Sequence, residues 1–155
     1  MTFDPPPVHH VAVVVVDLDA TAAELQRAFG AVRRDLPDTS GGKLRATFMM
    51  LPNVRLELIQ PLDPDHPIGQ WLATHGPGLH HLALEVPNIE SALEGLAESS
   101  IETRGARPKL GAAEALVVVF DRHLFGGTPI QLVQETAASR RHLPDEGKRA
   151  MARDK

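Results

Sequence analysis

Apolar and polar positions fall into two similar courses along the chain, each a strand-like run, then a helix-like stretch, then further strand-length runs. In the first course, residues 11–16 are rich in β-branched side chains and read as a strand. Residues 20–29 then read as a helix, with Asp17 or Asp19 placed to accept from its free N–H groups and Gly30 placed to end it. Residues 37–42 hold turn chemistry, and 44–51 and 54–61 read as strands joined through Pro52-Asn53. A weakly marked strand is expected near 31–36, which makes the first unit βαβββ. Ile68, Trp71 and Leu72, at i, i+3 and i+4, give the connecting stretch a one-sided apolar stripe suited to a short packing helix. The second course repeats the order: strand 79–86, helix 89–99, a weak strand near 101–104, and strands 115–120 and 128–134 with Gly126-Gly127 turning between them.

The two courses share more than their order. VHHVAV at 8–13 matches LHHLAL at 79–84, and equivalent positions recur at an offset of 71: His10 with His81, Ala12 with Ala83, Val15 with Val86, Leu25 with Leu96. Each course also closes on a similar pattern, LELIQ at 56–60 and IQLVQ at 130–134, at an offset of 74. An internal repeat of this kind predicts one domain over 8–135, built from modules at about 8–62 and 79–135 with a linker at 63–78. The three consecutive prolines of residues 1–7 form a stiff lead-in, and the charged residues 136–155 are expected to be a frayed or partly helical tail.

Composition narrows the function. The 155 residues, 43% hydrophobic, suffice for one domain with a substantial core. A net charge of -4 argues against a nucleic-acid or anionic-membrane surface, both of which favour clustered Lys and Arg. With no cysteine there is no disulfide framework and no thiolate site, so the eight histidines are the available nitrogen donors. Neither a spanning segment nor a signal-peptide pattern is evident, and a cytoplasmic location is expected.

Strand alternation puts His10 on one face with Ala12 and Val14 and turns His9 to the other, and it separates His81 from His80 in the same way. Glu57 and Gln131 each stand between apolar neighbours on a closing strand. If the modules pair about a pseudo-twofold axis, His10, Glu57, His81 and Gln131 converge from four strands. Two imidazoles, a carboxylate and an amide oxygen form a donor set for Zn²⁺, Ni²⁺, Co²⁺, Mn²⁺ or Fe²⁺. A duplicated structural cap would explain the histidine pairs, but not polar residues recurring on both closing strands. His75 and His123 are expected in loops and Glu85 at a solvated strand end. Arg33, Arg34, Lys43, Arg45 and Lys109 are available to a nucleotide-type phosphate, although scattered surface charge is the commoner reason for such residues.

These stretches, together with FMMLP at 48–52, ELIQPL at 57–62, PIGQWL at 67–72 and residues 127–134, resemble the vicinal oxygen chelate superfamily of glyoxalase I, extradiol dioxygenases and fosfomycin-resistance proteins, and within it the methylmalonyl-CoA epimerase branch. The resemblance implies an α+β fold in which two tandem βαβββ modules form a pseudo-twofold, cup-shaped mixed sheet around a metal cleft. It implies one divalent ion on His10, Glu57, His81 and Gln131, a small-molecule substrate such as an acyl-CoA, and a homodimer. The implied activity is that of a metal-dependent isomerase or lyase working through a stabilised enolate. Family members carry Glu at the last ligand position, where this chain has Gln131, and another acid/base Glu before the Met-Met pattern, where it has Thr47. Glu57 is then the one catalytic carboxylate expected at the ion, and the site charge rises to about +1, which favours an anionic chelating ligand. Two alternatives keep the fold: a non-catalytic protein that sequesters a small molecule of antibiotic type, and an Fe²⁺ dioxygenase using His10, His81 and Glu57.

Overall fold

The computed structural model describes residues 4–103, 105–120 and 122–143. Its elements are β1 (Val8–Val14), α1 (Leu18–Phe29), β2 (Val32–Asp35), β3 (Leu44–Met50), β4 (Arg55–Pro61), α2 (Pro67–His75), β5 (Gly78–Glu85), α3 (Ile89–Glu98), β6 (Lys109–Leu110), β7 (Leu116–Val119), β8 (Ile130–Gln134) and α4 (Ala137–Arg140). The strands form one mixed sheet in the order β2-β3-β4-β1-β5-β8-β7-β6. This is the order of a twofold: each module contributes its strands in mirrored sequence from the antiparallel seam between β1 and β5, with β4 parallel to β1 and β8 parallel to β5. The α+β architecture of paired βαβββ modules expected from the repeat is the one observed.

Local chemistry explains where the helices start. Asp17 Oδ1 accepts from Ala20 N and Asn88 Oδ1 from Ser91 N, at equivalent places in the repeat. The terminal glutamine of each closing pattern adds a second support: Gln60 Oε1 accepts from Leu18 N at 3.0 Å, and Gln134 Oε1 from Ile89 N at 2.9 Å. Gly30, at φ 67°, ends α1 in the left-handed region. In α2, His66 caps the N-terminus ahead of Pro67, and Gly69 lets that helix lie on the preceding loop, where a Cβ would come within 2.4 Å of the Asp63 carbonyl oxygen.

Each module buries its helix on the outer face of the sheet. Val15, Leu18, Ala22, Met49 and Leu58 form one core under α1, and Val86, Ile89, Ala92, Val118 and Leu132 form its counterpart under α3. The inner, concave face is left for side chains that do not belong to either core. Among the described residues no helix is long and apolar enough to cross a membrane.

Two expectations need correction. Residues 101–103 are not a strand; the second module's edge strand is the two-residue β6 further on, and Arg104 lies outside the described residues. Only two ladder positions, Lys109 with Val117 and Leu110 with Leu116, hold β6, too few for an alternating pattern. His75 closes α2 and stacks on Trp71 rather than sitting in a loop. The start of the tail is helical, in keeping with the second of the two forms expected for it: Thr136 and Ser139 form a reciprocal capping box on α4, and Ser139 is buried. Residues 1–3 of the lead-in and 144–155 of the tail lie outside the described residues.

Candidate metal centre

The seam positions the four side chains. In the β1–β5 ladder His10 lies opposite Ala83 and Ala12 opposite His81, so a small residue leaves room beside each imidazole. Glu57 extends the second row through Ala12, and Gln131 extends the first through Ala83. All four line one cleft of about 390 Å³ on the concave face. His10 Nε2 is 2.7 Å from Glu57 Oε2 and 3.3 Å from His81 Nε2, and Gln131 hydrogen-bonds to His81. His10, Glu57 and His81 are all buried and offer ligand atoms within 4.8 Å of one another. Apolar walls come from Phe48, Ile59, Ile68, Val117 and Val133, and Arg33, Arg45 and Lys109 stand at the rim.

Burial sets the protonation of the group. It holds the His81 imidazole down at about 4, against the pull of Glu57, so this nitrogen donor is neutral near pH 7. For Glu57 burial works upward, but the facing imidazoles of His10, His81 and His9 outweigh it and keep the carboxyl below its usual range. The neutral His81 nitrogen and an ionised carboxylate, buried together, favour a cation between them. The 3.3 Å between the two Nε2 atoms also suits an ion with bonds of about 2.0–2.1 Å, whose tetrahedral ligands sit roughly 3.3 Å apart. The His-Glu-His group could therefore hold a divalent metal.

Other sequence-based expectations come out differently. Thr47 does not face the cleft: it pairs with Leu58 on the helix side of the sheet, is fully buried, and donates from Oγ1 to the Arg34 carbonyl. On β3 the cleft-lining side chains of the inner wall are Ala46 and Phe48, the latter opposite Glu57, and the strand contains no carboxylate at all. His9 also breaks strict alternation. A register shift between Val8 and His10 lets both histidines of β1 turn into the cleft lining, whereas His80 stays on the far side against Trp71. Glu85, His75 and His123 are not part of the cleft lining.

The structure adds a residue that strand patterns miss. Glu135, immediately after β8, hydrogen-bonds through Oε1 to His9 Nε2 and accepts through Oε2 from the Ser139 hydroxyl. Burial works to raise its carboxyl, but these hydrogen bonds and nearby Arg55 hold it below the usual range. The available signal was a break in the repeat, since Gln60 is followed by Pro61 but Gln134 by Glu135.

Two βαβββ modules joined edge to edge, with a cleft open to small molecules and a buried His-Glu-His group at their seam that could hold a metal, define a protein of the glyoxalase type. The chain belongs to the Glyoxalase/Bleomycin resistance protein/Dioxygenase superfamily, whose family profile matches residues 9–119. It is 33% identical over 128 residues to an ethylmalonyl-CoA/methylmalonyl-CoA epimerase of Cereibacter sphaeroides, covering 81% of this chain and 96% of the relative. It is also 33% identical over 128 residues to the mitochondrial methylmalonyl-CoA epimerase of Homo sapiens, covering 81% of this chain and 72% of that one. In fold it is similar to the methylmalonyl-CoA epimerase of Mycobacterium tuberculosis, with a TM-score of 0.75 and 22% identity over 88% of this chain and 93% of the other. It is likewise similar to a methylmalonyl-CoA epimerase solved with methylmalonyl-CoA and NH4+, with a TM-score of 0.77 and 19% identity over 87% of this chain and 98% of that one.

Proposed function

We propose that the protein is a divalent-metal-dependent isomerase acting on an acyl-CoA thioester with an acidic α-carbon, of the 2-methylmalonyl-CoA kind. The observation that carries this reading is the buried His10–Glu57–His81 group at the inner end of an apolar-walled cleft, in a chain whose relatives are epimerases of such thioesters. His10, Glu57, His81 and the Gln131 amide oxygen would hold the ion. When bound, it would polarise the thioester carbonyl and offset the charge of the enolate left by loss of the α-proton. Among the described residues Glu57 is the one buried carboxylate in the cleft lining, and once loosened from the ion it would take that proton. The walls formed by Phe48, Ile59 and Val133 keep water from the developing charge, and Lys109 at the rim meets the phosphates of the coenzyme.

A second reading is a protein of the same fold that sequesters a small anionic molecule without changing it. The amide at 131 and the lack of any carboxylate on β3 favour it, because among the described residues they leave Glu57 as the one buried carboxylate on the inner cleft wall. Protein purified without a histidine tag should contain about one equivalent of divalent metal, and a His10→Ala, His81→Ala variant should contain little. Methylmalonyl-CoA incubated with the loaded protein in D₂O should then exchange its α-proton. Metal uptake with tight binding but no exchange selects the sequestering reading, and a parent that takes up no ion overturns the metal-dependent isomerase and leaves the sequestering reading in the lead.

A further inference from the structure

One polar network behind the centre is not used by the reaction as described. His9 Nδ1 lies 2.7 Å from His10 Nδ1, and the other nitrogen of His9 meets Glu135, whose second oxygen is fixed by Ser139. The side chains of His9 and Glu135 are 2% and 5% exposed, so no water competes for these bonds. Hydrogen-bond bookkeeping fixes the direction of the chain. An ionised carboxylate only accepts, so the proton shared with Glu135 belongs to His9 Nε2. A neutral His9 then has only a lone pair at Nδ1, and the proton in the 2.7 Å contact must sit on His10 Nδ1. With a cation in place of a proton between His10 Nε2 and the ionised Glu57, His10 then presents an unprotonated Nε2 to the ion; without a cation the same rule gives that nitrogen the proton of its 2.7 Å contact with Glu57.

We propose that His9 and Glu135 are positioning residues that lock His10 in the Nδ1–H tautomer, with its Nε2 lone pair aimed at the ion; this rests on the metal reading above. The α4 capping box belongs to the device, since it orients the Ser139 hydroxyl that holds Glu135. The second module has a looser counterpart: His80 Nδ1 lies 2.8 Å from His81 Nδ1, but His80 leans on the Trp71 ring and has Arg122 nearby. The two imidazole ligands are therefore backed unequally.

Co²⁺ affinity, measured by competition with a chromophoric chelator, tests the proposal on the parent, His9→Leu, His9→Asn and Glu135→Leu. Loss of an outer hydrogen-bond partner costs about 10–100-fold in metal affinity, so His9→Leu and Glu135→Leu should weaken binding by that factor, while His9→Asn, whose amide oxygen replaces Nδ1 as acceptor, should stay within about threefold of the parent. Parent-like affinity in His9→Leu overturns the proposal, as does an equal loss in His9→Asn, which would mark a merely structural role. A parent that binds no Co²⁺ overturns the metal reading and this inference with it. Long-range ¹H–¹⁵N correlation spectra of the zinc-loaded parent give a reading independent of whether variants fold: His9 should be protonated at Nε2, and protonation at Nδ1 refutes the assignment.

Discussion

Glu57 and Gln131 hold equivalent places in the repeat and differ by one carboxylate, and that difference decides what the centre can do. Glu57→Gln removes the proton acceptor but keeps an oxygen donor, so metal content should persist while α-proton exchange falls by about 10²–10⁴-fold. Exchange at the parent rate in a loaded Glu57→Gln protein would remove Glu57 from the mechanism. Gln131→Glu acts on charge instead: ion affinity should rise by on the order of tenfold or more, and affinity for an anionic thioester should fall, both readable by titration calorimetry. The sequence made His10, Glu57, His81 and Gln131 legible because duplication displays each of them beside an equivalent. It misplaced Thr47 by assigning it to the cleft through likeness to a motif, when ladder register puts it opposite Leu58 under α1. It also overlooked His9, because a bulge at the start of β1 cannot be read from alternation.

At the scale of elements, the glutamines that end β4 and β8 tie strand to helix in both modules. Replacing Gln60 or Gln134 with Ala leaves a helix-terminal N–H without its partner and should cost about 1 kcal/mol each. The helices they hold pack on separate cores, so the double variant should show nearly the sum in denaturant midpoints. Asp19, in the first turn of α1, meets Arg33 from β2 and Arg45 from β3, and hydrogen bonds from Arg45 and then Arg33 hold its carboxyl at about 2. Because the folded value lies below the unfolded 3.8, the stability gained from this pair is complete above pH 3.8 and is lost as pH falls toward 2. The stability gap between parent and Asp19→Asn should accordingly narrow across that window, and a gap that widens on acidification contradicts the pairing. Most elements were readable from the chain because each has its own signal: a β-branched run, a cap, a glycine stop. β6 had none, being held by the sheet edge rather than by its own pattern.

For the molecule as a whole, the seam between β1 and β5 is both the joint between modules and the floor of the site. Ala12 and Ala83 are fully buried there, each across from an imidazole. Enlarging Ala83 to Val should cost about 1–3 kcal/mol and also displace His10, so ion uptake should suffer beyond the loss of stability. Ala22→Val, in the fully buried core under α1, provides the comparison: a similar destabilisation with ion uptake intact. Equal effects on both properties in the two variants would mean that the seam carries no special geometric demand.

Two free copies of one module, associating edge to edge, would be obliged to place identical groups on either side of the axis. The covalent link through α2 lifts that obligation, and the chain has used the freedom: a charged oxygen at 57 and a neutral one at 131, a carboxylate-backed imidazole in one half and an aromatic-backed imidazole in the other. A ligand entering this cleft meets a left and a right hand that do not match. Inequality of that kind, absent from any perfectly symmetric pair, lets a protein bring different chemical groups to the two sides of a single carbon.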